Sequence, residues 1–454
     1  MGGKVRKISF LAACLSAFAA AAAPLTLRDV QELARKNDPR ARQAVAQLEN
    51  AQGKRDEAAW AFFPAFETTA YVAGPTPEHR LIGGDNDSNP ADPSHRTPGS
   101  MSWLNGQFGV TAHADVQAVL PLYTFGKLSS GKGAVEHLVN VMDALLQRAR
   151  DQSAYDAARA YWGWQTARTA DDSVTRIRDR LAEAKKTAQK LLAEQSDQIS
   201  KSDAMKLDYL AEEIEAQHAG ALKNRDLAWT GLKLLIGQDA PEIAAQELPP
   251  APELPNGDEL LRKGLERRPE TRAAAEGIKA RQALVDLARA KLWPDLGLVG
   301  GARFTETTNA DNPPSAFLAN PYHEASGYIA LALRGTFDIP QKLARIRQAE
   351  ADLHEVQALQ YGAEQLVRLE VQQALGDLAE ARVRSDRYTK QAAIGKQLAT
   401  QAAVSFDSGL GEARELLEDT LLFARADGER LKALYDAQLA WAALEKATGG
   451  PLGP

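Results

Sequence analysis

The stretch Phe108-Gly109-Val110-Thr111-Ala112-His113-Ala114-Asp115-Val116-Gln117-Ala118-Val119-Leu120 decides the fold of this 454-residue chain. Phe108, Val110, Ala112, Ala114, Val116, Ala118 and Leu120 alternate with Thr111, His113, Asp115 and Gln117. A period of two marks a β-strand with one apolar and one polar face. Weaker alternation recurs at Phe66 to Val72, at Leu296 to Phe304, and at Ile329, Leu331 and Leu333 against Ala330, Arg334 and Thr336. The chain therefore holds four strands of about 10 residues, a length that crosses an outer membrane when tilted. Residues 73–106, rich in Gly, Pro, Asp and Ser, and residues 305–327 are expected as the loops that join each strand pair.

Outward from these strands the spacing of proline takes over. No proline lies between Pro121 and Pro241, or between Pro340 and Pro451. An interior proline costs a helix about 3 kcal/mol or more, so two proline-free tracts rich in Ala, Leu, Glu, Lys, Arg and Gln predict very long helices. The first, from Lys127 to Gln195, would be roughly 100 Å long at about 1.5 Å per residue. Helices of that length need lateral partners in coiled-coil fashion, so each tract is expected to fold back once. The turns are expected around Ser196 to Ser202 and around Ser408 to Gly411.

The two halves are related. Pro39 to Pro64 and Pro269 to Pro294 both span 25 positions, and each pair ends on an aromatic before the second proline, Phe63 and Trp293. Trp229, Leu232 and Gly237 match Trp441, Leu444 and Gly449 position for position, and both Asp203 to Gly237 and Glu415 to Gly449 span 34. Agreeing intervals in one order predict a tandem duplication. The expected organisation is a leader at 1–23, a first repeat at 24–240 and a second at 241–454, each made of a helix, two strands and a long helical hairpin. The fold class is α+β, mainly α.

The leader is read from a basic segment ending at Lys7, an apolar stretch from Ile8 to Phe18 and an alanine run from Ala19 to Ala23. Cys14, the single cysteine, follows Leu11-Ala12-Ala13, so acylation at Cys14 is the alternative to cleavage in the alanine run. Either way no disulfide is expected. The formal charge is −6, becoming −9 once Lys4, Arg6 and Lys7 leave, which gives nucleic acid no basic surface. Seven histidines show no metal-ligand spacing, and no phosphate loop, nucleophile elbow or HExxH pattern occurs, so no catalytic residue, cofactor or metal is expected.

Four strands cannot close a barrel, and hydrocarbon offers no partner for an open edge. Three copies related by cyclic symmetry would supply twelve strands, an even number within the known range; two or four copies also satisfy the arithmetic. The expected object is a homotrimeric 12-stranded β-barrel in outer-membrane lipid, continuous with a helical barrel projecting into the periplasm of a Gram-negative bacterium. A periplasmic coiled-coil scaffold or adaptor protein is the alternative.

Several motifs resemble the TolC family of outer-membrane factors. Leu25-Thr26-Leu27 followed by Ala34 and Pro39 is similar to the family's opening helix. Pro121-Leu122-Tyr123, Phe125-Gly126-Lys127 and Phe337-Asp338-Ile339-Pro340 with Lys342-Leu343 resemble its strand-to-helix junctions. Phe406, Gly409-Leu410 and Glu415-Leu416-Leu417 resemble its second hairpin tip. The resemblance implies an exit duct for a tripartite efflux pump or type I secretion system, passive and not an enzyme. Its partners would be a periplasmic adaptor (membrane fusion) protein and an inner-membrane pump or ABC exporter. It further implies a narrow periplasmic aperture lined by Glu415 and Glu418, with Asp203 as the acceptor of a closing hydrogen bond. Phe406 and Gly411 stand where the family has the donors Tyr and Arg, which leaves Arg414 as a substitute donor. Ser408, Gly409 and Leu410 are the candidate adaptor contacts.

Overall fold

The computed structural model describes residues 24–76, 109–194, 199–237, 242–308, 322–408 and 410–452; the expected leader and Cys14 lie outside them. Its elements repeat in one order: α1 (Leu27–Asn37), α2 (Pro39–Trp60), β1 (Ala65–Thr76), β2 (Gly109–Tyr123), α3 (Lys127–Ala193) and α4 (Lys201–Ile236), then α5 (Gly257–Arg267), α6 (Pro269–Ala290), β3 (Asp295–Thr307), β4 (His323–Arg334), α7 (Ile339–Asp407) and α8 (Ala413–Ala447). The duplicated pattern is thus present element by element.

Local chemistry sets the helix ends. Thr26 and Ser200 open α1 and α4 with reciprocal capping boxes to Asp29 and Asp203, and the Asn256 side chain accepts from the first turn of α5. Gly237 (φ +71°) and Gly449 (φ +78°) take the left-handed conformation at the ends of α4 and α8. These are the two glycines that the repeat aligned. A Cβ on Gly237 would lie 3.2 Å from Asn37, and one on Gly449 3.0 Å from Arg267, the last residues of α1 and α5. The same close approach is built twice.

Two compact units are formed. One comprises residues 46–145 and 270–363 and contains the sheet. Its strands run β1-β2-β3-β4, all antiparallel, so β1 and β4 are the two edges. The strands are longer than expected: β1 reaches Thr76, β3 reaches Thr307 and β4 begins at His323, so the loops expected at 73–106 and 305–327 give up residues at their ends. Cross-strand polar pairs extend the ladder. Thr111 and Thr307 share a hydroxyl hydrogen bond of 2.9 Å, and His323 lies 3.2 Å from Glu306.

Register divides the sheet into two faces. Thr69, Tyr71, Thr111, His113, Asp115, Gln117, Arg303, Thr305, Thr307, Glu324 and Ser326 share one face; Val72, Val110, Val116, Phe304, Ile329, Leu331 and Leu333 share the other. Thr111, Thr305 and Thr307 are buried, whereas Val72, Phe304, Leu331, Leu333 and Ile329, the last at 81%, are exposed. The polarity of a water-soluble sheet is reversed.

Where strands become helices, two lysines fasten the junctions. Lys127 donates to the Trp293 carbonyl (2.8 Å) and to Asp295 (2.7 Å), and Lys342 donates to the Thr336 carbonyl (2.5 Å) with Asp338 at 3.5 Å. Phe125, with φ +51°, turns the chain into α3 while its ring stacks on Trp293. Exposed aromatics gather in the same segments: Trp60, Phe63, Phe66, Tyr123, Trp293 and Phe337.

The other unit comprises residues 24–45, 146–269 and 364–452 of the described chain and is helical. Three apolar clusters hold it. Val30 and Ala34 of α1 meet Tyr161, Leu232 and Ile236; Leu260 of α5 meets Val367, Val371, Leu378 and Leu444; and Ile177, Leu181, Leu207, Leu210, Ile214, Phe406, Leu416 and Leu417 form the third. Each fully buried Leu or Ile contributes about 1.5–3 kcal/mol. Among the described residues no helix is long and apolar enough to cross a membrane.

Candidate functional site

Of the site residues expected from the sequence, Asp203 lies in the first turn of α4, Ser408 and Leu410 follow the end of α7, and Arg414, Glu415 and Glu418 lie at the start of α8. On the α7 side a carbonyl of the last turn closes the helix: Ser405 O accepts from the amides of both Leu410 and Gly411 at 2.9 Å. The Ser408 hydroxyl donates to the Val404 carbonyl at 2.7 Å. Leu410 projects, 89% exposed, and Gly409 lies outside the described residues. A Cβ on Gly411 would sit 2.7 Å from Ser405 Cβ and 3.0 Å from the Phe406 amide, so this turn has no room for a side chain there.

Phe406 is 2% exposed and lies in the cluster formed with α3, α4 and α8. On the next helix Leu416 and Leu417 enter the same cluster, which turns Glu415 and Glu418 away from it; both are exposed. Glu415 also lies in the first turn of α8, where the helix dipole favours an anion.

Asp203 and Arg414 are used locally. Asp203 accepts from the Ser200 hydroxyl (2.7 Å) and amide (3.3 Å) and from Lys206 (3.2 Å), and these contacts hold its carboxyl below the usual range. Arg414 donates to Glu418, one turn along α8, at 2.8 Å, and that carboxylate strengthens its hold on its proton. Within one chain, then, Arg414 and Asp203 each find a nearer partner than one another. What joins the two hairpins here is the apolar cluster.

Sequence reasoning missed the junction lysines, the threonine ladder and the aromatic grouping. The lysines had a signal, since Lys127 and Lys342 open equivalent helices. The ladder partners are 196 residues apart for Thr111 and Thr307, and only the register brings them together. Among the described residues no group of His, Cys, Asp and Glu could hold a metal ion.

Residues 260–450 match the family model described as outer membrane efflux protein. No curated protein matches the chain. Solved structures share its fold at low identity: the CmeC outer membrane channel of Campylobacter jejuni (16% identity, TM-score 0.74, 99% of this chain and 94% of that one), the MtrE outer membrane channel of Neisseria gonorrhoeae in its open state (19%, 0.72, 94% and 89%) and the outer membrane protein VceC of Vibrio cholerae (17%, 0.70, 94% and 97%). The second half of the chain is thus similar to outer membrane efflux proteins, and the chain as a whole has the fold seen in these outer membrane channels.

Proposed function

We propose that this protein is the outer-membrane exit duct of a tripartite efflux pump or a type I secretion system, conducting cargo passively from periplasm to exterior. The single observation that carries this is the reversed sheet. Exposed Val72, Phe304, Ile329, Leu331 and Leu333 would cost several kcal/mol in water, at about 25 cal/mol per Å² of apolar surface, and cost nothing against lipid. The aromatics at the strand-to-helix junctions fit the headgroup level, where rings with apolar bodies and polar edges collect.

Edges β1 and β4 must be covered in hydrocarbon, and a homotrimer does so by joining β4 of one copy to β1 of the next in a 12-stranded barrel. Threefold symmetry then turns Glu415 and Glu418 into rings of carboxylates at the periplasmic aperture, a field that favours cations. Ser408 and the exposed Leu410, with Gly409 between them in sequence, are the contacts for a periplasmic adaptor, behind which an inner-membrane pump or ABC exporter supplies the energy.

The test is assembly and conductance. Protein extracted from the outer-membrane fraction should run as a heat-sensitive trimer in detergent and give unitary conductance steps in planar bilayers. A monomer that stays in the aqueous phase and leaves bilayers silent overturns the proposal.

A further inference from the structure

We infer that the hydrogen bond between Ser173 and Asp427 is the fixed point about which the two helical hairpins part, so that opening is confined to the lengths of α3 and α8 between it and the turns; this rests on the channel function proposed above. Ser173 of α3 donates its hydroxyl to Asp427 of α8 at 2.6 Å and so joins the first hairpin to the second. Both residues are buried. The other carboxylate oxygen of Asp427 accepts from Arg430 Nε (2.9 Å) and Nη2 (2.7 Å), which holds the anion in place on its own helix while it reaches across to α3.

The two sides of this bond differ in kind. Toward the turns, the hairpins meet in the apolar cluster that contains Ile177, Leu181 and Ala184 of α3 and Phe406, Leu416 and Leu417 of the second hairpin. Hydrophobic burial has no direction and is lost in proportion to the area uncovered, so helices held this way can part by degrees. Away from the turns, a second pair of buried side chains holds the same two helices to one piece of backbone. Gln165 of α3 donates to the Ala244 carbonyl (2.7 Å) and accepts from the Gln246 amide (3.1 Å), and Gln438 of α8 donates to the Pro249 carbonyl (3.1 Å). Residues 244–250 therefore strap α3 to α8, about 12 Å beyond Ser173 along one helix and about 16 Å beyond Asp427 along the other.

A hydrogen bond has a set length and direction, and pulling a buried one apart leaves both partners unsatisfied. Between the strap and Ser173 the two helices are thus tied at two levels by such bonds. Beyond them lie about 30 Å of α3, from Ser173 to Ala193, and about 21 Å of α8, from Asp427 back to Ala413, whose described contact across the hairpins is the apolar cluster. A pull that separates the hairpins at their turns uncovers that cluster and stops at Ser173 and Asp427.

The test is single-channel recording of the full-length protein in planar bilayers, with pairs of cysteines joined by a short bifunctional thiosulfonate and each variant recorded before and after bridging. Ser173→Cys with Asp427→Cys puts the bridge at the fixed point, and opening after bridging should match opening before it. Ala184→Cys with Leu416→Cys lies eleven residues, about three turns, nearer the turns on each helix and within the apolar cluster, so bridging there should abolish opening and reductant should restore it. Ser173→Ala removes the bond, lengthens the segment that can part and should raise the open probability by roughly threefold or more, in keeping with one lost buried hydrogen bond. A bridge between positions 173 and 427 that silences the channel, a bridge between 184 and 416 that leaves it opening freely, or Ser173→Ala openings equal to those of the parent overturns the fixed point. A parent protein that gives no conductance overturns the channel function instead.

Discussion

Phe406 and Gly411 are described in the sequence by what they lack, a donor and a side chain. In the folded chain each has a packing role. Phe406 fills the cluster between the two hairpins, and Gly411 lets the turn close against Ser405. Truncation by Phe406→Ala should cost about 3–5 kcal/mol in that cluster. Thermal unfolding in detergent should show the loss, and single-channel recording should show longer or larger openings, because the hairpins are then less firmly joined. An unchanged melting point would contradict the assigned role. Motif comparison could show what Phe406 cannot donate; it could not show burial, which depends on α3 and α4, roughly 200 residues away in sequence.

Glu276 offers a second test at this scale. Lys279 (2.7 Å), Asn140 (3.0 Å) and His137 (2.8 Å) all donate to it, and together they hold its pKa down to about 2 against an ordinary 4.5. A carboxylate whose folded pKa is depressed stabilises the fold above its unfolded pKa and loses that contribution as pH falls through the folded one. The stabilisation should therefore be complete above about pH 4.5 and disappear toward about pH 2. In acid titrations followed by circular dichroism, Glu276→Gln should be less stable than the parent near neutrality and converge on it in strong acid. A constant offset at every pH would contradict the mechanism.

Among the elements, the strands make the sharpest prediction, because the proposed membrane setting gives their two faces different solvents. Ile329→Lys places a charge on the apolar face near the middle of β4 and should cost about 2–4 kcal/mol in a bilayer. Thr69→Lys, on the polar face opposite Asp115, should be tolerated. Denaturant titration in lipid vesicles compares them, and equal effects would contradict the assignment of faces. Periodicity made the strands and their apolar faces legible, since Val110 to Leu120 alternates within a single segment. It did not reveal their ends. Thr305 and Thr307 read as loop because their partners His113 and Thr111 come from the other repeat. The helices were legible for the opposite reason: their determinants are local, in proline spacing, capping boxes and the glycines at 237 and 449.

For the whole molecule, the proposed threefold symmetry would convert single residues into rings. Replacing Glu415 and Glu418 together with Gln should lower cation preference at any pH above the carboxylate range, and the effect should grow as salt is diluted and screening weakens. Bilayer reversal potentials measure it, and an unaltered preference at low salt would remove these residues from the aperture. The need for several copies followed from counting strands, but the sites at the tips did not follow as directly. Asp203 and Arg414 find local partners in Ser200, Lys206 and Glu418 at capping-box, i,i+3 and i,i+4 spacings, and the resemblance, which aligns them with gate residues, passes over those nearer partners.

The clasps made by Lys127 and Lys342 bear on how such a duct could move. Each ties the first turn of a long helix to the chain beside it, Lys127 to the start of β3 and the buried Lys342 to the link between β4 and α7. A rotation of the first turn of α3 or of α7 therefore has to carry the start of β3, or the link that follows β4, along with it.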